Sequence, residues 1–247
     1  MKIFFILMLM ANLGFAQNKK GEIVYRKETT KFISESRGFQ KNKENQSKYY
    51  NTVLMIDKNT KSLLKTISFK LRFNNYESIF MVDNFLNLET NRFTGIAVGP
   101  EGSGIYYSNQ NNNENLKQVD AYGEKFLIKE KTIHWTLINE TKKIGEYNCY
   151  KAITTKISNS SKGKVEQTVT VWYTPEINIP FGPIGYGGLP GLVMELSMYN
   201  YRYYVIKIEL NPKNEVIVKK PTQGKKVTEE EFREIGKKAM ESLKKGF

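Results

Sequence analysis

The residue types that most often carry chemistry are scarce in this chain, which contains one histidine, His134, and one cysteine, Cys149. Single residues of these types exclude most zinc sites, iron–sulfur clusters, a disulfide framework and a Cys–Cys redox pair within one chain. A catalytic thiol would need His134 as its base, whereas the neighbours Tyr147 and Tyr150 indicate that Cys149 is a buried structural residue. We therefore predict neither a metal site nor a cofactor.

The acidic residues that could act as catalytic groups are scattered along the chain. No D-x-D-x-D calcium loop is present. Glu195 is the one acid near the glycine-rich segment described next, but it would share a face with Leu192 or Met194 only if a bulge intervened, so it receives no catalytic role. Any chemistry would have to come from carboxylates, hydroxyls or lysines, and the acids considered are Asp83, Glu89, Asp120 and Glu195.

The strongest local feature is the glycine-rich segment Pro180–Gly191, in which five of twelve residues are Gly and three are Pro. It lacks the third glycine of a dinucleotide fingerprint and the Lys-Ser/Thr pair of a P-loop, so nucleotide binding is excluded. Pro190 and Gly191 predict a type II turn. We expect an ordered loop that either closes a corner of the sheet or forms the rim of a site. The candidate ligand or partner residues are Phe181, Ile184, Tyr186, Gly187, Gly188, Leu189, Pro190 and Gly191.

Alternation of apolar and polar residues recurs along the chain and predicts ten to twelve mostly antiparallel strands. In Thr66–Phe73 the apolar set is Ile67, Phe69, Leu71 and Phe73, and further on it is Tyr204, Ile206, Ile208 and Leu210. Polar turns at 57–59, 159–163 and 211–214 separate strands, and 36–47 and 109–115 indicate solvated loops. The strand-like runs are 22–33, 48–57, 66–73, 124–130, 134–140, 147–157, 168–173, 192–199 and 204–210.

One helix is clear at the C-terminal end, over about 229–245. Thr228 and Glu231 form a capping box, with acids in the first turn and lysines in the last. Its apolar face consists of Phe232, Ile235, Ala239 and Leu243. We expect this helix to pack on the sheet, with binding to a partner or a membrane surface as the alternative. The predicted fold is mainly β, a curved antiparallel sheet or half-barrel with a C-terminal amphipathic helix.

The N-terminal residues predict export. Lys2 precedes the apolar run Ile3–Ala11, and Gly14 and Ala16 provide small residues for cleavage before Gln17. The run is too short to span a membrane, and no later segment is apolar enough to do so. We predict a signal peptide over 1–16 and one β-rich domain over 17–247 that is periplasmic, envelope-associated or secreted.

The net charge is +13, from 38 Lys and Arg against 25 Asp and Glu. Lysine pairs are spread along the chain, which favours solvated surface charge. A basic face toward anionic lipid head groups, lipopolysaccharide or peptidoglycan is the alternative interpretation. Nucleic acid is excluded as a partner by the predicted export.

Several segments are similar to one protein family. Gly188–Val193 resembles the signature of the GLPGLI family of exported Bacteroidetes proteins, with Val193 in place of the final isoleucine. Trp172–Thr174 and Cys149–Ala152 are similar to other blocks of that family, and the resemblance covers most of the chain after residue 16. It implies secretion to the periplasm or envelope and supplies no reaction or catalytic residues.

The leading hypothesis is an exported cell-envelope protein that is not an enzyme and binds an apolar or amphipathic ligand or an outer-membrane partner. Two alternatives stay open: a secreted hydrolase using carboxylates or a Ser with Lys, and a structural component of the cell surface.

Overall fold

Strands and helices follow the amphipathic patterns of the sequence over most of the chain. The computed structural model describes residues 19–36, 39–40, 47–83, 91–160 and 163–245, so the predicted signal peptide lies outside the described residues. The strands in these ranges are β1 (Lys20–Thr29), β2 (Phe69–Asn74), β3 (Glu77–Val82), β4 (Ile105–Asn109), β5 (Glu114–Ala121), β6 (Glu124–Lys129), β7 (Thr136–Ile144), β8 (Tyr147–Ser160), β9 (Gly163–Thr174), β10 (Leu192–Met198), β11 (Tyr201–Leu210) and β12 (Lys225–Thr228). The helices are α1 (Ser47–Leu64), α2 (Thr94–Gly102) and α3 (Glu229–Lys245).

All twelve strands belong to one open sheet with the order β12-β6-β5-β4-β3-β2-β1-β11-β10-β9-β8-β7. Neighbouring strands are antiparallel except β12 and β6, which are parallel. The prediction of a mainly β, antiparallel fold with a C-terminal helix is therefore confirmed.

One face of the sheet, here called the inner face, carries the main core. Ile67, Phe69, Leu71 and Phe73 are at most 1% exposed, as their alternation predicts, and Tyr25 of β1 is fully buried beside them. Leu64 of α1, the middle of α2 and the glycine-rich segment pack onto this face. The opposite face is called the outer face.

The predicted strand over 48–57 and the turn at 57–59 are wrong, because these residues lie in α1. Val53, Thr60 and Leu64 are buried, and their spacing of seven and four residues matches one face of a helix. The β-rich composition of Tyr49–Val53 is overridden by packing against the sheet. Most of the predicted loop over 36–47 lies outside the described residues.

The predicted inward face of β11 is also wrong in part. Val24 pairs with Lys207 and Tyr25 with Val205, so Ile206 forms a bulge. A bulge reverses the alternation, and the side chains that contact the core are Tyr201, Tyr203, Val205 and Ile208.

Helix α3 packs on the sheet as predicted. Thr228 N–H donates to Glu231 Oε2 at 2.7 Å and Glu231 N–H donates to Thr228 Oγ1 at 3.2 Å, which completes the capping box. Phe232 and Ile235 then contact a small core cluster that includes Phe126 of β6. Within the described ranges, none of the helices combines the length and hydropathy that crossing a membrane requires.

Candidate functional site

The glycine-rich segment connects β9 to β10 and folds back on itself against the inner face. Gly188 N–H donates to the carbonyl of Pro180 at 2.9 Å, and Val193 N–H donates to that of Phe181 at 3.1 Å. The hydroxyl of Tyr25 donates to the carbonyl of Val193 at 2.6 Å inside the core. The segment is therefore ordered by its own backbone and by the central strand β1.

Gly187 and Gly191 are among the glycines of this segment that close backbone approaches require. A Cβ atom on Gly187 would lie 2.6 Å from the carbonyl oxygen of Pro180, and one on Gly191 would lie 2.1 Å from that of Thr174. Both separations are far inside van der Waals contact, so a side chain at either position would push the chain apart. The spacing of these glycines is thus explained by packing.

The predicted type II turn at Pro190 and Gly191 is wrong. Gly191 N–H donates to the carbonyl of Leu189 at 2.7 Å, which closes a three-residue turn. Leu192 N–H donates to the carbonyl of Ile177 at 3.0 Å, so it is not available for the four-residue turn.

The eight candidate residues of the segment separate into two groups. Phe181, Ile184 and Leu189 are 2%, 3% and 2% exposed and belong to the main core. Tyr186 is half-buried, with its ring centroid 6.2 Å from that of Trp135. Gly191 is buried, while Gly187, Gly188 and Pro190 keep some exposure. A contact with a ligand or partner stays a prediction for the residues that keep exposed surface.

A cleft, here called the hairpin cleft, lies between the glycine-rich segment and the β4–β5 hairpin. It encloses about 80 Å³, well below the several hundred Å³ of a typical pocket for a drug-sized ligand. Its hydroxyl and amide residues are Ser78, Ser108, Gln110, Asn113, Asn115 and Thr132. Its aromatic residues are Phe80, Tyr106, Tyr107 and Phe181, and its glycines are Gly182, Gly185, Gly187 and Gly188.

Glu101, at the end of α2, is the centre of a half-buried ion cluster. Its Oε1 lies 2.8 Å from Lys156 Nζ on β8, and its Oε2 lies 3.4 Å from Lys117 Nζ on β5. The hydroxyl of Tyr106 donates to the carbonyl of Glu101 at 2.7 Å. Burial would raise the pKa of Glu101, but the two lysines outweigh this effect and lower it to about 2.

Glu130, which directly follows β6, is a second half-buried carboxylate, and its pKa shifts in the opposite direction. Its Oε2 would lie 2.9 Å from a Cβ atom on Gly185, so it packs against the glycine-rich segment. Burial raises its pKa to about 7, the charges of Glu229 and Glu101 add to the rise, and Lys117 opposes it. A carboxyl that exchanges its proton near neutral pH thus lies beside the wall of the hairpin cleft.

Lys27 of β1 brings a buried ammonium to the same end of the inner face. It donates to the carbonyls of Ala97 and Val98 at 3.0 and 2.7 Å, where α2 kinks at Gly99. Its Nζ lies 4.7 Å from the ring centroid of Tyr201. Burial lowers the pKa of Lys27 to about 8, partly offset by the charge of Glu101.

The structure places the residues considered first from the sequence outside this cluster. Cys149 is fully buried, and burial raises the pKa of its thiol to about 11, whereas His134 is exposed. Glu195 lies next to a bulge and pairs with Lys142 on the outer face. Asp83 pairs with Lys70 and Asp120 with Lys125, and Glu89 lies outside the described residues. No three His, Cys, Asp or Glu side chains in the described ranges are grouped as a metal site requires.

Sequence reasoning missed both carboxylates of the cluster. Glu130 continues the alternation of Phe126 and Ile128, so the period of β6 could have placed it on the inner face. Glu101 lies between Pro100 and Gly102, where no periodicity indicates a direction.

The sequence matches one known protein family. Residues 99–233, more than half of the chain, match the family described as "N-glycanase peptide, N-terminal domain". The chain belongs to this family. The matched region includes Glu101, Glu130 and the whole glycine-rich segment.

Two solved structures, both of PNGF-II, resemble the chain. The structure in the C2 space group has a TM-score of 0.51 and 16% identity, over 90% of this chain and 33% of that chain. The structure in the P21 space group has a TM-score of 0.49 and 14% identity, over 90% of this chain and 34% of that chain. The present chain thus spans about a third of the length of PNGF-II, and the likeness shows a shared fold. No curated protein matches the chain.

We expect Glu101→Gln to lower the free energy of unfolding by about 2 kcal/mol at pH 7, because Lys117 and Lys156 lose their shared counter-charge. The stabilisation by Glu101 should be complete above pH 4.5 and disappear as the pH falls through about 2. Urea denaturation measures both effects. The control Glu140→Gln removes the half-exposed partner of Lys151 and should cost less than about 0.5 kcal/mol. Equal losses in the two variants would contradict the bridging role.

Glu130→Gln should change how stability depends on pH. The folded-state pKa is raised, so the carboxyl's contribution is complete below pH 4.5 and is lost as the pH rises through about 7. Relative to the wild type, the variant should gain up to about 3 kcal/mol between pH 4.5 and 8, at about 1.4 kcal/mol per pKa unit. Urea denaturation across this range tests it, with the exposed Glu124→Gln on the same strand as control. A parallel pH dependence of wild type and Glu130→Gln would refute the assignment.

Proposed function

We propose that this chain is an exported, non-enzymatic binding domain of the cell envelope, of the GLPGLI type. The residue pattern of 1–16 and the resemblance of Gly188–Val193 to the GLPGLI signature support export. The burial of the lone Cys149 also supports it, because an accessible thiol would form mixed disulfides in an oxidising compartment.

The ligand that we propose is a sugar residue of a glycan, which is amphipathic because it presents hydroxyls at its edge and C–H groups on its faces. The observation that carries this proposal is the lining of the hairpin cleft. Hydroxyl and amide side chains line it together with aromatic rings and the backbone of Gly187 and Gly188. The family description names an N-glycanase, which supports a glycan as the class of ligand.

A lipid is a weaker candidate than a sugar. The inner face is filled by α1, α2 and the glycine-rich segment, and the hairpin cleft encloses about 80 Å³. A lipid chain would need a longer apolar cavity, whereas one edge of a sugar ring fits a shallow polar cleft.

A glycan hydrolase is the second candidate, and one observation favours it. Glu130 has a pKa of about 7 beside the cleft wall, as a general acid requires. Glu101 is committed to Lys117 and Lys156, so it is not free to act as the second carboxylate. This imbalance favours binding over hydrolysis.

Glycan binding is tested by isothermal titration calorimetry of the full chain after residue 16 with N,N′-diacetylchitobiose. The double variant Gln110→Ala, Thr132→Ala removes two polar lining groups and should weaken binding at least tenfold. The matched double variant Gln167→Ala, Thr168→Ala on β9 should bind like the wild type. Absence of heat with the wild type, or equal weakening in both double variants, would overturn the cleft assignment. Release of free sugar that stops in Glu130→Gln would establish the hydrolase instead.

Export is tested by expressing residues 1–247 in a Bacteroidetes host and analysing each cell fraction by mass spectrometry. We expect the protein in the periplasm, the envelope or the medium, with Gln17 as its first residue. Ala16→Arg should block cleavage and leave the heavier, uncleaved chain, whereas Gln17→Asn should be processed normally. An uncleaved wild-type chain in the cytoplasm would refute export.

A further inference from the structure

Five side chains from five neighbouring strands form one line across the outer face, here called the cross-strand row. Each is directly opposite the next in the pairing register, so all five share a face. Strands are about 4.8 Å apart, so the row is about 19 Å long. In order from β1 to β8 its members are Arg26, Tyr204, Glu195, Trp172 and Lys151.

The other charged groups of this row are neutralised by ion pairs. Glu195 accepts from Lys142 at 3.0 Å and lies 3.7 Å from Arg202, and Lys151 lies 3.0 Å from Glu140. The two acids on the outer face of β1 are also occupied. Glu28 binds Arg202 at 2.8 Å, and Glu22 binds Arg72 at 2.8 Å.

Arg26 is the exception. Its side chain makes no hydrogen bond or ion pair with any residue in the described part of the chain, and its Nε is buried without a partner although the residue as a whole is partly exposed. Arg26 therefore keeps a guanidinium charge without a counter-charge at the centre of the sheet. Unpartnered donors are rare in folded proteins because desolvation penalises them, and because Arg26 keeps part of its surface exposed, a group from outside can reach its guanidinium.

We propose that the cross-strand row is a docking surface for an acidic protein partner that places a carboxylate on Arg26. The guanidinium fork matches the two oxygens of a carboxylate. Arg, Tyr and Trp are the residue types that dominate protein interfaces, and the row contains one of each. The net charge of +13 favours an acidic partner.

The aromatic rings of the row favour a protein over a sugar as its occupant. Lys142 Nζ lies 4.5 Å from the ring centroid of Trp172, and the guanidinium carbon of Arg202 lies 5.2 Å from that of Tyr204. Each cation occupies a ring face on which a sugar would stack. This surface is separate from the hairpin cleft, so the inference does not depend on the proposed glycan binding.

The test is an NMR titration of the ¹⁵N-labelled chain with a capped hexaglutamate peptide at low salt, followed through the arginine Nε–Hε signals. We expect the Arg26 signal to shift and saturate, and binding to weaken as salt is added. Arg26→Gln should weaken binding at least tenfold. The control Arg72→Gln removes the same charge from an arginine that already has Glu22 as its partner, and it should weaken binding less than threefold.

Three outcomes would overturn the proposal. One is an Arg26 signal that does not move with hexaglutamate, a result that needs no variant to fold. Another is an equal loss of affinity in Arg26→Gln and Arg72→Gln, which would indicate general charge attraction. The third is a response of the Arg26 signal to inorganic phosphate but not to the peptide, which would assign the position to a free anion.

Discussion

The carboxylate of Glu101 binds Lys117 on β5 with one oxygen and Lys156 on β8 with the other, although seven strands lie between β5 and β8 in the sheet. This contact requires the open sheet to curl until its two halves face each other across the inner face. The ion cluster therefore stabilises the curvature of the sheet, just as backbone hydrogen bonds stabilise each of its halves. Helix α2 must end at this point to deliver Glu101, and Lys27 binds the carbonyls of Ala97 and Val98 just before the kink at Gly99.

The same concentration of charge determines what the neighbouring groups can do. Glu101 stays ionised because two ammonium groups outweigh the effect of burial on its pKa. Its negative charge then raises the pKa of Glu130. Glu130 in turn packs against Gly185, so the electrostatics of the core and the position of the glycine-rich segment are physically linked. The hairpin cleft is lined by the same segment, including Gly185. Its shape thus depends on a chain of contacts that begins at one carboxylate.

Local patterns in the sequence predict the structure correctly where the interactions join residues close together in the chain. The alternation in β2, the capping box of α3 and the burial of Cys149 each involve residues close together in the chain. Helix α1 was misread because its aromatic and β-branched residues favour strands, and only contact with the sheet selects the helix. Residue spacing alone could not reveal the bulge at Ile206, because it follows from the pairing of β11 with β1. Residue spacing could not predict the Glu101 cluster for the same reason, since Lys117 and Lys156 are far from Glu101 in sequence.

The position of β1 in the sheet has a consequence for how the chain acquires its structure. β1 pairs with β2 on one side and with β11 on the other, so Gly21 meets Leu210 across most of the length of the chain. Loop closure over such a separation carries a large entropy penalty, and folds with many distant contacts form slowly. A nascent chain cannot complete the middle of this sheet until residue 210 is available. If the chain is exported as proposed, this delay keeps it unfolded while it passes through a narrow translocation channel. The topology itself would then postpone folding until export is under way.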